Sequence, residues 1–188
     1  MCFIVPLRDR VKVYHKVVAR NERTKIVAEL LALPHVRRAT LEDVEDFVGL
    51  RLALFREANL LTDALTPGHA ADVAEATRRY LERTIPSGAF VCWVAAVEER
   101  VVACSGLVMF ERLPSAHNLS GREVYILNMY TAPEWRGRGL ARTLLDHLIR
   151  FARATDTRRI WLHATDAGRP LYEQAGFVAK ASEMELTW

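Results

Sequence analysis

The sequence predicts one mixed α/β domain, and three observations carry the prediction. Two apolar runs, AFVCWVAAV and VVACSGLVMF, are separated only by EER, which reads as a β-hairpin. A third run, EVYILNMYT, is apolar on both alternating faces and so belongs in the middle of a sheet. It passes through Gly137 and Gly139 into a segment whose apolar residues recur at helical spacing.

In chain order, residues 1–35 read as a basic, poorly ordered N-terminal extension. It is a mixed charged segment followed by a short helical pattern, ERTKIVAELLAL, stopped by Pro34. The domain is predicted over residues 36–188. HVRRAT is a short strand, and Thr40 with Asp43 makes a capping-box-like start for a helix on which Leu41, Val44, Phe47, Val48, Arg51, Leu52 and Phe55 share one face. A second helix runs from about Ala70 to Arg83 and is broken by IPSG. The hairpin follows, although Glu98 and Glu99 are not the residues tight hairpin turns favour. After the polar loop ERLPSAHNLSGR and the central strand comes a helix with an apolar stripe of Leu140, Ala141, Leu144, Leu145, Leu148, Ile149 and Ala152. RIWLHAT is a strand, GRPLYEQA a short helix ended by Gly176, and FVAKASEMELTW holds one or two last strands.

Composition excludes several functions. The chain has 188 residues, 51% hydrophobic and 26% charged, as an ordinary globular protein has. Its formal net charge of +3 points to no nucleic-acid partner: residues 1–35 hold seven Lys/Arg against three acids, leaving 19 bases and 20 acids, net −1, for the rest. No apolar run is long enough to span a membrane and no signal peptide is visible, so a cytoplasmic protein without a membrane partner is expected. Cys2, Cys92 and Cys104 have neither the number nor the spacing for a disulfide framework or a zinc site, and Cys92 and Cys104 fall in apolar strands. His147 and His163 lack ligand-spaced partners, so no metal is expected.

The glycine junction is where chemistry concentrates. A helix N-terminus presents unpaired N–H groups at the positive end of its dipole, and glycines let an anion approach, so a phosphate suits this turn. No GxxxxGK[ST] string is present, and Gly137–Arg138–Gly139–Leu140–Ala141–Arg142 ends in Arg where a dinucleotide fingerprint needs Gly. What remains is Arg136-x-x-Gly139-x-Ala141. This string is similar to the (Gln/Arg)-x-x-Gly-x-(Gly/Ala) motif of the GNAT superfamily of N-acetyltransferases. YTAPEWRGRGLARTLL resembles that family's motif A and RPLYEQAGF its motif B. The resemblance is sharp from Glu123 to Phe177.

The resemblance implies a GNAT-type fold, a central mixed, mostly antiparallel sheet flanked by about four helices, and transfer of an acetyl group from acetyl-CoA to a primary amine by direct attack. It implies that backbone N–H groups of Arg136, Gly137, Arg138, Gly139, Leu140 and Ala141 hold the pyrophosphate, with Arg142 near the phosphates, and that Met129, Tyr130 and Thr131 pair with pantetheine. Tyr172 matches the tyrosine that protonates the leaving thiolate. Glu123 opens the central strand where histone-type members carry a catalytic glutamate. Thr165 stands where many members place a cofactor-contacting Asn. Asn128 interrupts an apolar strand and is a hydrogen-bonding anchor or a substrate contact.

A non-catalytic acyl-CoA-binding regulatory module of the same fold is the competing reading; loss of Tyr172 or of the glycines would favour it, and both are present. The acceptor, a small-molecule or peptide amine, falls to residues 41–83 and the loop Arg112 to Gly121, which mix acids and bases so that neither a cationic nor an anionic acceptor is excluded. The sequence leaves a homodimer open.

Overall fold

The computed structural model describes residues 33–61, 68–180, 184 and 186. Five strands form one sheet in the order β1-β2-β3-β4-β5: β1 His35–Arg38, β2 Phe90–Val97, β3 Arg100–Glu111, β4 Arg122–Thr131 and β5 Arg159–Trp161. The first four pair antiparallel and β5 pairs parallel to β4. Helices α1 (Val44–Glu57) and α2 (His69–Ser87) cover one face; α3 (Leu140–Arg153) covers the other, and α4 (Arg169–Gln174) follows β5. The mixed, mostly antiparallel sheet with four helices matches the expected fold class. Among the described residues no helix is long and apolar enough to cross a membrane.

The core divides along the sheet. Leu140, Leu144, Leu145, Leu148 and Ala152 of α3 pack on Trp93, Ala95, Leu107, Val124 and Ile126. Val44, Phe47 and Val48 of α1 and Leu81 of α2 pack on Phe90, Val94, Cys104 and Tyr130. β2 and β3 are buried on both faces, as their unbroken apolar runs require. Cys92 and Cys104 are buried free thiols pushed up by desolvation, Cys92 to about 12, and so are not reactive thiolates.

Several elements depart from expectation. The second helix does not stop at Arg83 but continues through Pro86 to Ser87, because proline in a last turn forgoes only one helical bond and Gly88, at φ 72°, closes the end with its N–H on the Ile85 carbonyl at 3.2 Å. Leu41 lies in a 3₁₀ turn (Leu41–Asp43) and is exposed, off the buried face of α1. Glu98 adopts φ 53°, so the hairpin turn uses a left-handed glutamate where Asn or Gly is favoured. β5 is shorter than RIWLHAT. Residues 177–180 form no strand, and most of the expected last strand, like the helical pattern before Pro34, lies outside the described residues.

Asp43 makes the capping-box contact with Thr40 that the sequence predicts, and Arg37 adds an ion pair to it. Its Oδ2 accepts the Thr40 N–H at 2.7 Å, and both oxygens meet the Arg37 guanidinium at 2.7 Å. Burial alone would raise its pKa, but the hydrogen bonds from Arg37 and Thr40 outweigh burial and hold it below the ordinary value. A depressed folded-state pKa stabilises above the unfolded value and loses that contribution as pH falls through the folded one. Asp43→Ala is expected to lower stability in urea by about 1–3 kcal/mol at pH 7, with the difference from wild type shrinking below about pH 4.

Candidate active site

The site is built around an interruption in β4. Cys104 faces Tyr130 and Gly106 faces Leu127, so β3 spends one residue, Ser105, where β4 spends two, Asn128 and Met129. This is a β-bulge, and Asn128 takes it up in the left-handed region at φ 57°. The side chain answers the strain locally: its Oδ1 accepts from Arg51 Nη1 at 2.9 Å and its Nδ2 donates to Cys104 Sγ at 3.3 Å. Asn128 thus makes two side-chain hydrogen bonds within the protein.

Three residues before Asn128, after Tyr125, β4 and β5 part. Their parallel pairing covers only Glu123–Tyr125 against Arg159–Trp161, while β4 continues to Thr131, so its later backbone has no strand partner on the β5 side. A second irregularity, at Val102 of β3, turns that carbonyl toward the Ala132 N–H (2.9 Å) and fixes where the chain leaves β4. A 3₁₀ turn, Pro133–Trp135, then leads into the glycine loop.

Gly137 and Gly139 have φ of 73° and 78°, and a Cβ on either would meet no atom within 4 Å. Backbone geometry, not crowding by the protein, asks for glycine there, and the space beside each is open to a ligand. Among the described residues the N–H groups of Gly137, Arg138 and Gly139 donate to no protein acceptor. Those of Leu140, Ala141 and Arg142 open α3, where no intrahelical acceptor exists. Six consecutive donors at one helix N-terminus suit the pyrophosphate of a CoA-type ligand.

The arginines of the loop are already engaged. Arg136 donates to Glu57 at 2.8 and 2.7 Å and to the Thr131 carbonyl at 2.9 Å; Arg138 lies 4.4 Å over the Trp135 ring; Arg142 pairs with Asp146 at 3.1 Å. Glu57, which sequence reasoning missed, also accepts the Tyr130 hydroxyl at 2.5 Å. As an acid ending an amphipathic helix it gave no local signal. The Tyr130 hydrogen bond, then that from Arg136, holds Glu57 below the ordinary carboxylate value, while burial and then Glu57 push the Tyr130 phenol up to about 12.

Tyr172 is buried and packs in the same core cluster as Leu140 and Met129. The fold thus joins α4, the start of α3 and the end of β4. Burial, followed by the field of Tyr125, pushes its phenol up to about 12. Thr165 lies beside it across Gly168 but spends its Oγ1 accepting the Gly168 N–H at 3.2 Å, as part of the turn into α4. Glu123 is not brought to the bulge. It stands five residues earlier, about 16 Å along the strand, between Arg112 (3.4 Å) and Arg159 (3.3 Å). His163 contacts Tyr125 Oη through Nδ1 at 2.8 Å within an aromatic group with Trp161. A hollow lined by Trp161, Tyr172, Phe177 and Lys180 contains none of residues 136–141 and adjoins chain outside the described residues, so it is distinct from the anion site. Among the described residues no three His, Cys, Asp or Glu are grouped to hold a metal.

A family model described as the acetyltransferase (GNAT) family matches residues 58–177. The chain belongs to the GNAT family. It is an N-acetyltransferase of that family, with the fold expected of one. A predicted acetyltransferase from Clostridium acetobutylicum, solved with acetyl-CoA, is 28% identical, with a TM-score of 0.72 over 82% of this chain and 96% of that one. A GCN5-related N-acetyltransferase from Ralstonia eutropha is equally similar, at 28% identity and TM-score 0.72, covering 82% of this chain and 99% of that one. A ribosomal-protein-alanine N-acetyltransferase from Brucella melitensis shares the fold at 20% identity and TM-score 0.61, over 83% and 99% of the two chains. Among curated proteins none matches the chain in sequence.

The Glu57 cluster yields a direct test. Glu57→Gln removes the negative charge that faces Tyr130 and keeps a hydrogen-bond acceptor. The Tyr130 phenol, raised in part by that charge, is expected to titrate below about 12 in the variant. The measurement is NMR of ring-labelled tyrosine against pH. Because the Glu57–Arg136 pair is about half exposed, the loss in stability should stay below about 1 kcal/mol.

Proposed function

We propose that the protein moves an acetyl group from acetyl-CoA to a primary amine, with the donor along the β4 edge and the glycine loop and Tyr172 as the proton donor. One observation carries the reading: the unpaired N–H groups of Gly137, Arg138 and Gly139 precede α3 in the loop that follows the unpartnered edge of β4. Six main-chain donors would take the pyrophosphate, and the backbone of Met129, Tyr130 and Thr131 would take the pantetheine arm as an added strand. That a relative of 28% identity was solved with acetyl-CoA supports this donor. Residues 36–188 would form the transferase domain behind an extension of 1–35, in a cytoplasmic setting.

When bound, acetyl-CoA supplies an acyl thioester to the attacking amine. The chain's part is to orient it and to manage protons. With a phenol pKa of about 12, Tyr172 stays protonated throughout the neutral range, as a proton donor to a departing thiolate must. Thr165, whose hydroxyl hydrogen is left over after Oγ1 accepts from Gly168, would contribute one donor to the cofactor. Glu123 reaches an amine at the bulge only through intervening water, and its proposed role as base is read from a pH profile.

Four outcomes are expected. Acetyl-CoA at 100 times its dissociation constant should stabilise the protein by about 2.7 kcal/mol, seen as a rise in Tm. Gly139→Glu, which sets a negative side chain in the anion site on a backbone at φ 78°, should abolish that rise while far-UV circular dichroism reports a folded protein. Tyr172→Phe should lower kcat about 10²- to 10⁴-fold with little change in donor affinity, whereas Glu123→Gln should lose most activity at low pH and recover toward high pH. A wild-type Tm that ignores millimolar acetyl-CoA would sink the reading. Full turnover by Tyr172→Phe would return that residue to the core, and a flat Glu123→Gln profile would leave Glu123 as an ion-pair residue.

A further inference from the structure

Arg51 is the one arginine among the described residues that is at least partly buried and has no carboxylate partner. Arg37 and Arg78, the others removed from full exposure, pair with Asp43 and with Glu45 and Glu75. The Arg51 guanidinium is held in place without being neutralised. Nη1 donates to Asn128 Oδ1 at 2.9 Å, and one face covers the Phe55 ring at 4.4 Å. Burial lowers the Arg51 pKa and outweighs the opposing influences of Cys104 and then Tyr80, as happens to a cation removed from water without a counter-charge.

Neighbouring acids are committed elsewhere. Asp43 serves Arg37 and Thr40, Glu45 serves Arg78, Asp46 accepts the Val101 N–H at 2.7 Å, and Glu57 serves Arg136 and Tyr130. A guanidinium has five N–H donors in a planar fork, and Asn128 takes one. Leaving a partly buried charge unpaired is unfavourable, so a site of this kind stands ready for an anion. Its place is specific as well. Asn128 is the residue of the β4 bulge, three residues past the last β4–β5 pair at Tyr125, and Arg51 approaches it from the face covered by α1 and α2, opposite the core that contains Tyr172.

We propose that Arg51 binds the carboxylate of the acceptor, so that the substrate is an amino acid or another small amine bearing one carboxylate. The inference rests on the acetyl-transfer reading above and names its acceptor class. One guanidinium compensates one negative charge and matches a carboxylate through two parallel hydrogen bonds. A phosphorylated amine would leave a second charge uncompensated in the same place.

The test measures kcat/KM of the full chain with acetyl-CoA against amino acids, the amides of the same amino acids, the amines lacking the carboxylate, and amines bearing a phosphate. The Tm rise with acetyl-CoA is recorded for every variant. The free carboxylates should exceed their amides and decarboxylated partners by about 10- to 100-fold, the range a hydrogen-bonded charge supplies. Arg51→Gln should erase that preference while keeping the acetyl-CoA rise, and Arg51→Lys should restore part of it. Equal use of the decarboxylated amines, preference for phosphorylated amines, persistence of the preference in Arg51→Gln, or turnover of no carboxylated amine by a protein that binds acetyl-CoA would each overturn the proposal. Failure to bind acetyl-CoA would instead strike the acetyl-transfer reading on which it rests.

Discussion

A left-handed asparagine in the middle of a central strand is the constraint on which the rest of the site depends. Non-glycine residues at positive φ carry a penalty of about 1–2 kcal/mol, and Asn128 offsets it with two side-chain hydrogen bonds, to Arg51 and Cys104. The bulge also reverses which residues face which core. Before it, Val124 and Ile126 face α3 and Leu127 faces α1; after it, Met129 faces α3 and Tyr130 faces α1. An unbroken strand would have put Tyr130 into the α3 core and taken its hydroxyl away from Glu57. β4 also runs on past its last β5 partner, Tyr125, to Thr131, and the chain then passes through the 3₁₀ turn into the glycine loop.

Charge is distributed so that backbone amides, rather than side chains, define the anion site. Arg136 and Arg142 are each neutralised by a carboxylate, and Arg138 rests on Trp135. The amides of Gly137 to Arg142 need no counter-ion and bring no flexible side chain to be ordered, so a ligand meets a preformed set of donors. On the other side of the bulge the arrangement is the opposite. There Asp43 pairs with Arg37 and Glu45 with Arg78, while the partly buried Arg51 has no carboxylate partner among the described residues.

Much of this was legible in sequence because it rests on local rules. Hairpin, central strand, the α3 stripe and the glycine junction follow from periodicity and from what glycine allows, and they came out where expected. Boundaries were less legible where a neighbour decides them. The second helix outran its expected end because Gly88 supplied a cap beyond Pro86, and β5 pairs with β4 only over Arg159–Trp161. The capping box of Thr40 and Asp43 was legible, but the ion pair that Arg37 on β1 makes with Asp43 was not.

By itself, the sequence determined the fold class, the family and the position of the glycine loop, since each depends on the order of residues along one stretch of chain: alternation, helical period and two glycines beside a helix start. Only the tertiary structure decided the charge state of the acceptor side and the membership of the site. Glu57 lies 79 residues from Arg136 and Arg51 lies 77 from Asn128, so no local pattern announces either pair. Which arginine is neutralised and which is not depends on which carboxylates the packing of α1 and α2 against the sheet brings within reach. That is a property of distances in space, and residue order does not carry it.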